Sequence, residues 1–415
     1  MSFNTFTKEL NYPLFGLQFI DNNTFAVSGG GGEGRHGIPN GLDIFQITNK
    51  QDADNKKKDS KPPPPSQQPV PDLLKPKELK LIGEFKYDKN TSDAPMSLAY
   101  HKPTGTAYLG CNDGKTIIET TSTNHDLKAL KISDNGTKVG KSQQYRVFPN
   151  KVEGSSYIKK IEAHDLGKLV MLSSDAVSRV YVNDITSLDN PSVFEAKETQ
   201  EIKDFSIKKS SNDDDKALEF AYVTKSTGKI VNVVAKKSPV IKDLKLTAKE
   251  CQLLRIKYLS STKLLILGAS PNKQIIAYVY CTATDKVINR QVLVKNVKSV
   301  NAVDFAPFNN NNTAGLLAVA TSDLSVVLYH VALDGGYKIV KIFEFPRSHA
   351  FAVTNIAIEE NLNHVVSVSA ANSIHVIELP SVETLESLKD GGSMLWWIIL
   401  MILVLIIAMY LANAQ

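Results

Sequence analysis

The sequence holds little cysteine, little tryptophan and almost no excess of either charge. Its three cysteines, Cys111, Cys251 and Cys281, are odd in number and widely spaced in 415 residues, which excludes a disulfide framework and suits a reducing compartment. They are expected to be small buried hydrophobes. The net charge of +5, from 48 Lys and Arg against 43 Asp and Glu, leaves no basic stripe, so nucleic acid is not expected as a partner. The opening MSFNTFTKELNYPLF lacks the basic start and unbroken apolar stretch of a secretory signal. The N-terminal portion is therefore expected in the cytosol, with the sequons at Asn22, Asn90, Asn135 and Asn311 unmodified. Nor do His, Asp and Glu gather at metal or triad spacing. His101, His125, His164 and His330 are scattered, which argues against a hydrolase or an oxidoreductase.

What the chain has is apolar residue in two very different arrangements. Short Val, Ile and Leu runs are punctuated by 18 prolines and 23 glycines, a pattern that argues against long helices and for an all-β fold. Residues 394–411, MLWWIILMILVLIIAMYL, instead run without a charge and meet the lower length limit for a transmembrane helix. Such a short span suits the thinner bilayer of the endoplasmic reticulum. The expected division is a cytosolic domain over residues 1–380, a linker over 381–393, the transmembrane helix over 394–411 and a luminal tail over 412–415.

The strand-like runs recur in one order. SVNAVDFAP, GLLAVATSD, LSVVLYHV and YKIVKIFEF read as four strands, with Asp323 in the turn before the third. AVTNIAIEE, HVVSVSAAN and SIHVIELP repeat the first three, with Asn372 at the turn. Weaker copies begin near Gly16, Met96 (with Asp113 at its turn), Tyr157, Ile202 and Leu253. That makes about seven units of roughly 45 to 55 residues, the spacing of propeller blades. The units resemble a degenerate WD40 repeat: His349 stands where the His of the Gly-His dipeptide falls, and residues 374–378 take the place of the Trp-Asp strand without the dipeptide itself. The expected fold is an all-β, seven-bladed WD40-like propeller, monomeric, plus one C-terminal transmembrane helix. Its last unit lacks a fourth strand, which residues 2–8, with Phe3 and Phe6, are expected to supply, closing the ring. Residues 49–77, rich in Lys, Asp and Pro, read as a disordered insertion inside the first blade, and KKSSNDDDK (208–216) reads as a hairpin tip.

The most unusual local sequence is GGGGEGRHGIPN, residues 29–40, directly after a strand. Gly29, Gly31 and Gly34 satisfy G-x-G-x-x-G, but a dinucleotide site needs a helix to follow. Ile38-Pro39-Asn40-Gly41 leads into another strand instead, so a nucleotide is not expected here. Glycine permits tight backbone whose carbonyls converge on one centre. With Glu33 as the only carboxylate, such a set suits a monovalent cation better than a divalent one.

This loop, together with SHAFAVTNIAIEENLNHVVSVSAANSIHVIELP and the terminal apolar run, resembles the endoplasmic-reticulum exchange factors that activate the small GTPase of the COPII coat, the family that includes the prolactin regulatory element-binding protein. The resemblance implies a guanine-nucleotide exchange factor, a regulator without covalent chemistry of its own. It also implies a potassium ion in the loop, held by carbonyls that are placed here at Gly31, Glu33, Gly34 and Ile38. Gly37, Ile38 and Asn40 match the family's loop, so Asn40 is implied as the side chain presented to the GTPase, with Ile38 and Pro39 shaping the tip. A membrane-tethered scaffold that binds coat or cargo proteins without exchange is the alternative.

Overall fold

The short apolar runs fold as antiparallel strands, and the sheets they form are small and numerous. The computed structural model describes residues 3–32, 37–49, 77–88, 90–148, 156–174, 179–209, 217–234, 237–246, 250–308, 313–334 and 337–387. An N-terminal strand, β1 (Thr5–Glu9), precedes the first blade, which is β2 (Leu14–Asp21), β3 (Thr24–Gly29), β4 (Gly41–Asn49) and β5 (Lys77–Lys86). The second is β6 (Ser97–His101), β7 (Thr106–Gly110), β8 (Leu127–Ser133) and β9 (Lys138–Tyr145). The third, β10 to β13, is Ile158–His164, Lys168–Ser173, Arg179–Asp184 and Phe194–Lys197; the fourth, β14 to β17, is Ile202–Ile207, Ala217–Thr224, Gly228–Val234 and Val240–Asp243. The fifth, β18 to β21, is Gln252–Ser260, Lys263–Ala269, Gln274–Cys281 and Lys286–Lys295; the sixth, β22 to β25, is Val300–Pro307, Ala314–Thr321, Val326–Ala332 and Ile339–Phe345. The seventh is β26 (Val353–Ile358), β27 (His364–Ser369) and β28 (Ser373–Glu378), and β1 completes it.

Each sheet runs in chain order from its first strand, and the first strands of successive blades touch one another around the ring, with β2 meeting β26 to close it. The fold is a seven-bladed β-propeller. The closing strand β1 pairs antiparallel with β28, Thr5 opposite Ile377 and Glu9 opposite Ser373. This pairing satisfies an edge that would otherwise be bare. It also carries Phe3 onto Phe343 and Phe345 of the sixth blade, at 4.9 and 5.6 Å between ring centroids.

The hydrophobic core lies between blades. Alternating side chains of each sheet interdigitate with those of the next, so each cluster belongs to a neighbouring pair. Leu42, Leu98 and Leu109 join blades one and two, whereas Tyr12, Phe25, Val366 and Val376 join seven and one. Carboxylates on the innermost strands add staples that the sequence reading did not anticipate. Glu162 accepts the amide of Ile207, Asp204 that of Ile256 and Asp304 that of Ile358, at 2.8 to 3.0 Å, each reaching from one blade to the next. The signal was in the sequence as an acid in the first strands of the third, fourth and sixth units.

One face of the ring, here the upper face, carries the connections between second and third strands and those between blades. The lower face carries the remaining hairpins. The chain leaves the seventh blade on the lower face, where the Leu379 amide donates to Asn363 O. A short helix, Val382–Ser387, then tucks Leu385 into the cluster between blades six and seven. The apolar run 394–411, and with it the expected transmembrane helix, lies outside the described residues; among the described residues no helix is long and apolar enough to cross a membrane. Residues 50–76 of the Pro/Lys-rich insertion also lie outside them, as do residues 210–216. The insertion's two ends, Asn49 and Lys77, pair with each other on the lower face.

Two turn readings meet different outcomes. Asn372 adopts the left-handed conformation, φ 65°, in the tight turn before β28. Asp113, expected in a similar tight turn, instead begins a long connection with a helix, α1 (Lys115–Thr121). The segment between β7 and β8 is too long for a turn, and Lys-Thr-Ile-Ile-Glu-Thr-Thr supplies one short helix with two half-buried isoleucines.

Candidate functional site

The glycine-rich segment joins β3 to β4 on the upper face of the first blade. All of β3 is buried, and its last residue, Gly29, packs so closely that a Cβ there would fall 2.0 Å from Pro13 O. The Gly30 amide donates to that same carbonyl at 2.9 Å. Gly30, at φ 154°, then leaves room for Asn40, whose Oδ1 lies 2.0 Å from where a Cβ on Gly30 would stand. Gly32 is left-handed, with φ 72°, and its amide donates to Asn40 Oδ1 at 3.0 Å. Gly37 is left-handed too, at φ 94°, and exposed. These positions need glycine for stated reasons of space and backbone angle.

Asn40 is the clasp of the connection. Its Oδ1 holds Gly32, its Nδ2 donates to Ser92 O at 2.9 Å, and its own carbonyl accepts from Tyr87 at 2.9 Å. One side chain thus ties the start of the loop to its end and both to the segment that leads into the second blade. Ile38 does not project: it packs half-buried against the cluster that includes Tyr12, Leu14 and Phe25, and Pro39 beside it is also half-buried. Beneath them Tyr12 donates to Asp43 Oδ2 at 2.6 Å, and Lys86 pairs with the same carboxylate. Burial, then the Asp43 charge, holds the Tyr12 hydroxyl far above its ordinary pKa.

Of the four residues expected to supply potassium ligands, Gly31 and Ile38 are described, and Glu33 and Gly34 lie outside the described residues. The structure adds an acid that the sequence reading missed. Asp93, from the lead-in to the second blade, brings Oδ1 to 2.9 Å from the Cβ position of Gly32 while also accepting the amide of Ala94. A glycine turn bearing carbonyls, with one carboxylate against it, is an oxygen-only donor set, which fits an alkali cation in kind. No local signal in the sequence joins Asp93 to the loop, because 60 residues separate it from Glu33.

A polar block supports that lead-in. Ser92 bridges to Asp113, the Asp93 amide donates to Asn112 O at 3.0 Å, and the Gly114 amide to Thr91 O at 3.2 Å. Asp113 is buried against Lys128, itself fully buried, and accepts from the His125 amide and ring at 2.8 and 2.7 Å. Asp126 accepts the amides of Val147 and Phe148, and burial nevertheless pushes its carboxyl up to about 6. Across the closure seam, on the same upper face, Phe351 leaves 63% of its surface exposed. An exposed aromatic on that face is a contact candidate that only the fold brings to notice.

Two further histidines have structural partners. His349 bonds Ser373 and Ser367 at 2.7 and 2.8 Å, and His364 bonds Glu359 at 2.7 Å. Among the described residues no group of three or more His, Cys, Asp and Glu could hold a metal ion. All three cysteines are free and buried.

The fold and this connection define the class: a seven-bladed β-propeller with a glycine-shaped, asparagine-clasped loop on one face. No family model matches the chain. Its homologues are exchange-factor proteins, beginning with the guanine nucleotide-exchange factor SEC12 of Candida glabrata, to which it is 25% identical over its full length and 80% of that protein. Two candidate guanine nucleotide-exchange factors named SED4 are also similar. The one from Candida glabrata is 22% identical over 94% of this chain, and the one from Saccharomyces cerevisiae is 20% identical over 91%. The chain spans only 33% and 31% of the length of those two proteins.

Proposed function

We propose that this protein is a guanine-nucleotide exchange factor for the small GTPase that initiates COPII coat assembly on the endoplasmic reticulum. The observation that carries the reading is the Asn40-clasped glycine connection on the upper face of a chain homologous to SEC12. Exchange requires the factor to bind the nucleotide-free GTPase more tightly than the GDP-bound form, so a preorganised element must disturb the nucleotide site without covalent chemistry. A loop whose ends are tied by one amide is preorganised in that sense. Asn40 has two amide hydrogens and two carbonyl lone pairs, of which one each are used internally, so one donor and one acceptor stay available to groups that lose their partners when GDP leaves. Ile38 and Pro39 keep the tip's shape by packing against the blade. Potassium would be held by carbonyls of the glycine turn, at Gly31, Glu33, Gly34 and Ile38, with Asp93 beside them. When bound it would neutralise converging carbonyl dipoles and stiffen the loop.

In this reading residues 394–411 span the membrane, the propeller lies in the cytosol, and the activated GTPase is released next to the bilayer where the coat assembles. Six residues, 388–393, separate the last helix from the apolar run, and at full extension they reach only about 20 Å. The lower face is then the nearer one to the bilayer and the glycine connection opens away from it.

A non-catalytic scaffold for coat or cargo proteins is the second reading, favoured by the internal use of the Asn40 amide. Release of GDP from the coat GTPase, measured with the full chain in vesicles, separates the two. The expected result is acceleration that falls about tenfold or more in Asn40→Ala, as for loss of one bond to a critical group, and that falls again when sodium replaces potassium. No acceleration by the wild-type chain sinks the exchange reading, and full activity in Asn40→Ala moves its site elsewhere.

A further inference from the structure

The upper mouth of the central channel holds a cavity of about 320 Å³, lined by residues in or just before the innermost strands that include Phe15, Met96, Tyr157, Lys159, Arg255 and Asn301. Phe15 follows closely on Pro13, whose carbonyl holds Gly30, so this cavity opens on the same face as the glycine connection. Its guanidinium is fixed in place. Arg255 Nε and Nη2 donate to Asn301 O at 3.2 and 2.6 Å, and Nη1 donates to Leu254 O at 2.9 Å. Three of five N–H groups are thereby directed at backbone carbonyls and two are left. Among the described residues no ion pair includes Arg255. The second cation, Lys159, meets Glu201 at 3.1 Å, but Glu201 is shared with Lys203. Exposed Lys225, Lys273 and Lys298 stand on connections of the same face, together with exposed Asp88, Glu119, Glu201, Glu250 and Asp323.

The half-buried guanidinium, held by carbonyls, lies in a cavity with largely apolar walls, and among the described residues it has no counter-ion. We infer that the channel mouth is a carboxylate-binding subsite that takes one acidic side chain from a protein docked on the upper face. A carboxylate matches the chemistry better than a phosphate does. The free edge of one guanidinium suits two carboxylate oxygens, and the apolar walls suit an aliphatic stem. No helix terminus or glycine turn lines the cavity to surround a phosphate with amides. That the docked protein is the GTPase rests on the exchange reading; the subsite itself does not.

The test has two arms. In the full chain labelled with ¹⁵N-arginine, the Arg255 Nε–H resonance, assigned by its loss in Arg255→Lys, is followed during titration with N-acetyl-glutamate amide, N-acetyl-glutamine amide or inorganic phosphate. A saturating shift with the glutamate compound and none with the glutamine compound is expected. Absence of a shift with glutamate overturns the subsite, and saturation by phosphate at a lower concentration than glutamate overturns the carboxylate assignment. In the exchange assay, Arg255→Gln is expected to raise the GTPase concentration for half-maximal rate about tenfold, as for one lost bond to a charged group, with less than a twofold change at saturation. Lys102→Ala, on the lower face, is expected to leave both values in place. An unchanged half-maximal concentration in Arg255→Gln overturns docking of the GTPase through this subsite. Lack of any exchange by the wild-type chain counts against the exchange reading alone, because the resonance titration still decides the subsite.

Discussion

Two neighbouring connections on the upper face hold their shapes by opposite means. Between β3 and β4 the chain relies on missing side chains: Gly29 and Gly30 pack where a Cβ would collide, and one neutral amide, Asn40, closes the loop. Between β7 and β8 it relies on buried charge, with Lys128 and Asp113 sealed together and Asp126 capping two amides. The first arrangement is cheap to deform, since it rests on a few neutral hydrogen bonds. The second is rigid, because a low-dielectric site punishes loss of either partner far more than loss of both. The soft loop leans on the stiff one through Ser92, which accepts from Asn40 and bridges to Asp113. In the exchange reading, the loop that meets the GTPase is thus supported by a neighbour held by buried charge.

The contrast is broken most severely by Lys128→Met. It leaves the Asp113 carboxylate buried without its cation, and a loss of about 3–5 kcal/mol in unfolding free energy is expected from urea denaturation. A loss below 1 kcal/mol would mean that the charge pair is not what stiffens the second connection.

Next in size is a pH effect confined to the charged side. The folded-state pKa of Asp126 stands near 6, above its unfolded value near 4, so its contribution is full below about pH 4 and is lost as pH rises through about 6. Stability is expected to fall by about 2 kcal/mol between pH 4.5 and 6.5 from this group. Asp126→Asn should flatten that slope even though it weakens the cap on Val147 and Phe148. The same slope in wild type and variant would assign the pH dependence to other groups.

The smallest effect on stability is expected on the glycine side. Gly30→Ala forces Asn40 out of its place, but only a loop yields, so a cost of about 1–2 kcal/mol is expected. In the exchange reading, the exchange rate is expected to fall to the extent expected for Asn40→Ala. Loss of several kcal/mol would show the glycine connection to be as stiff as its neighbour.

The seven units were legible because strands, turns and spacing are local properties repeated along the chain. The missing fourth strand of the last unit was legible too, as an unpaired edge with an apolar N-terminal segment at hand, and β1 fills that place from Thr5 to Glu9. The glycine segment stood out from composition alone. What surrounds it did not. Asp93, Ser92 and Pro13 reach the loop only through blade packing, and no spacing rule connects them with residues 29–40. The Asp113 reading failed for a related reason. An Asp before a strand marks a tight turn only when the intervening chain is short, and the helix at Lys115–Thr121 was not distinguished from turn sequence.

By itself the sequence determined the class of fold, the number of blades and the position of the one loop whose glycines exceed what a hairpin needs. These follow from periodicity and from backbone sterics, which act over a few residues. Only the tertiary structure decided which groups meet that loop, that Asn40 spends half its hydrogen-bonding capacity inside the molecule, and that Arg255 faces an open channel with no counter-ion among the described residues. Those are properties of ring closure, which brings residues in or just before the innermost strands of six of the seven blades to line one cavity. No stretch of sequence carries that juxtaposition.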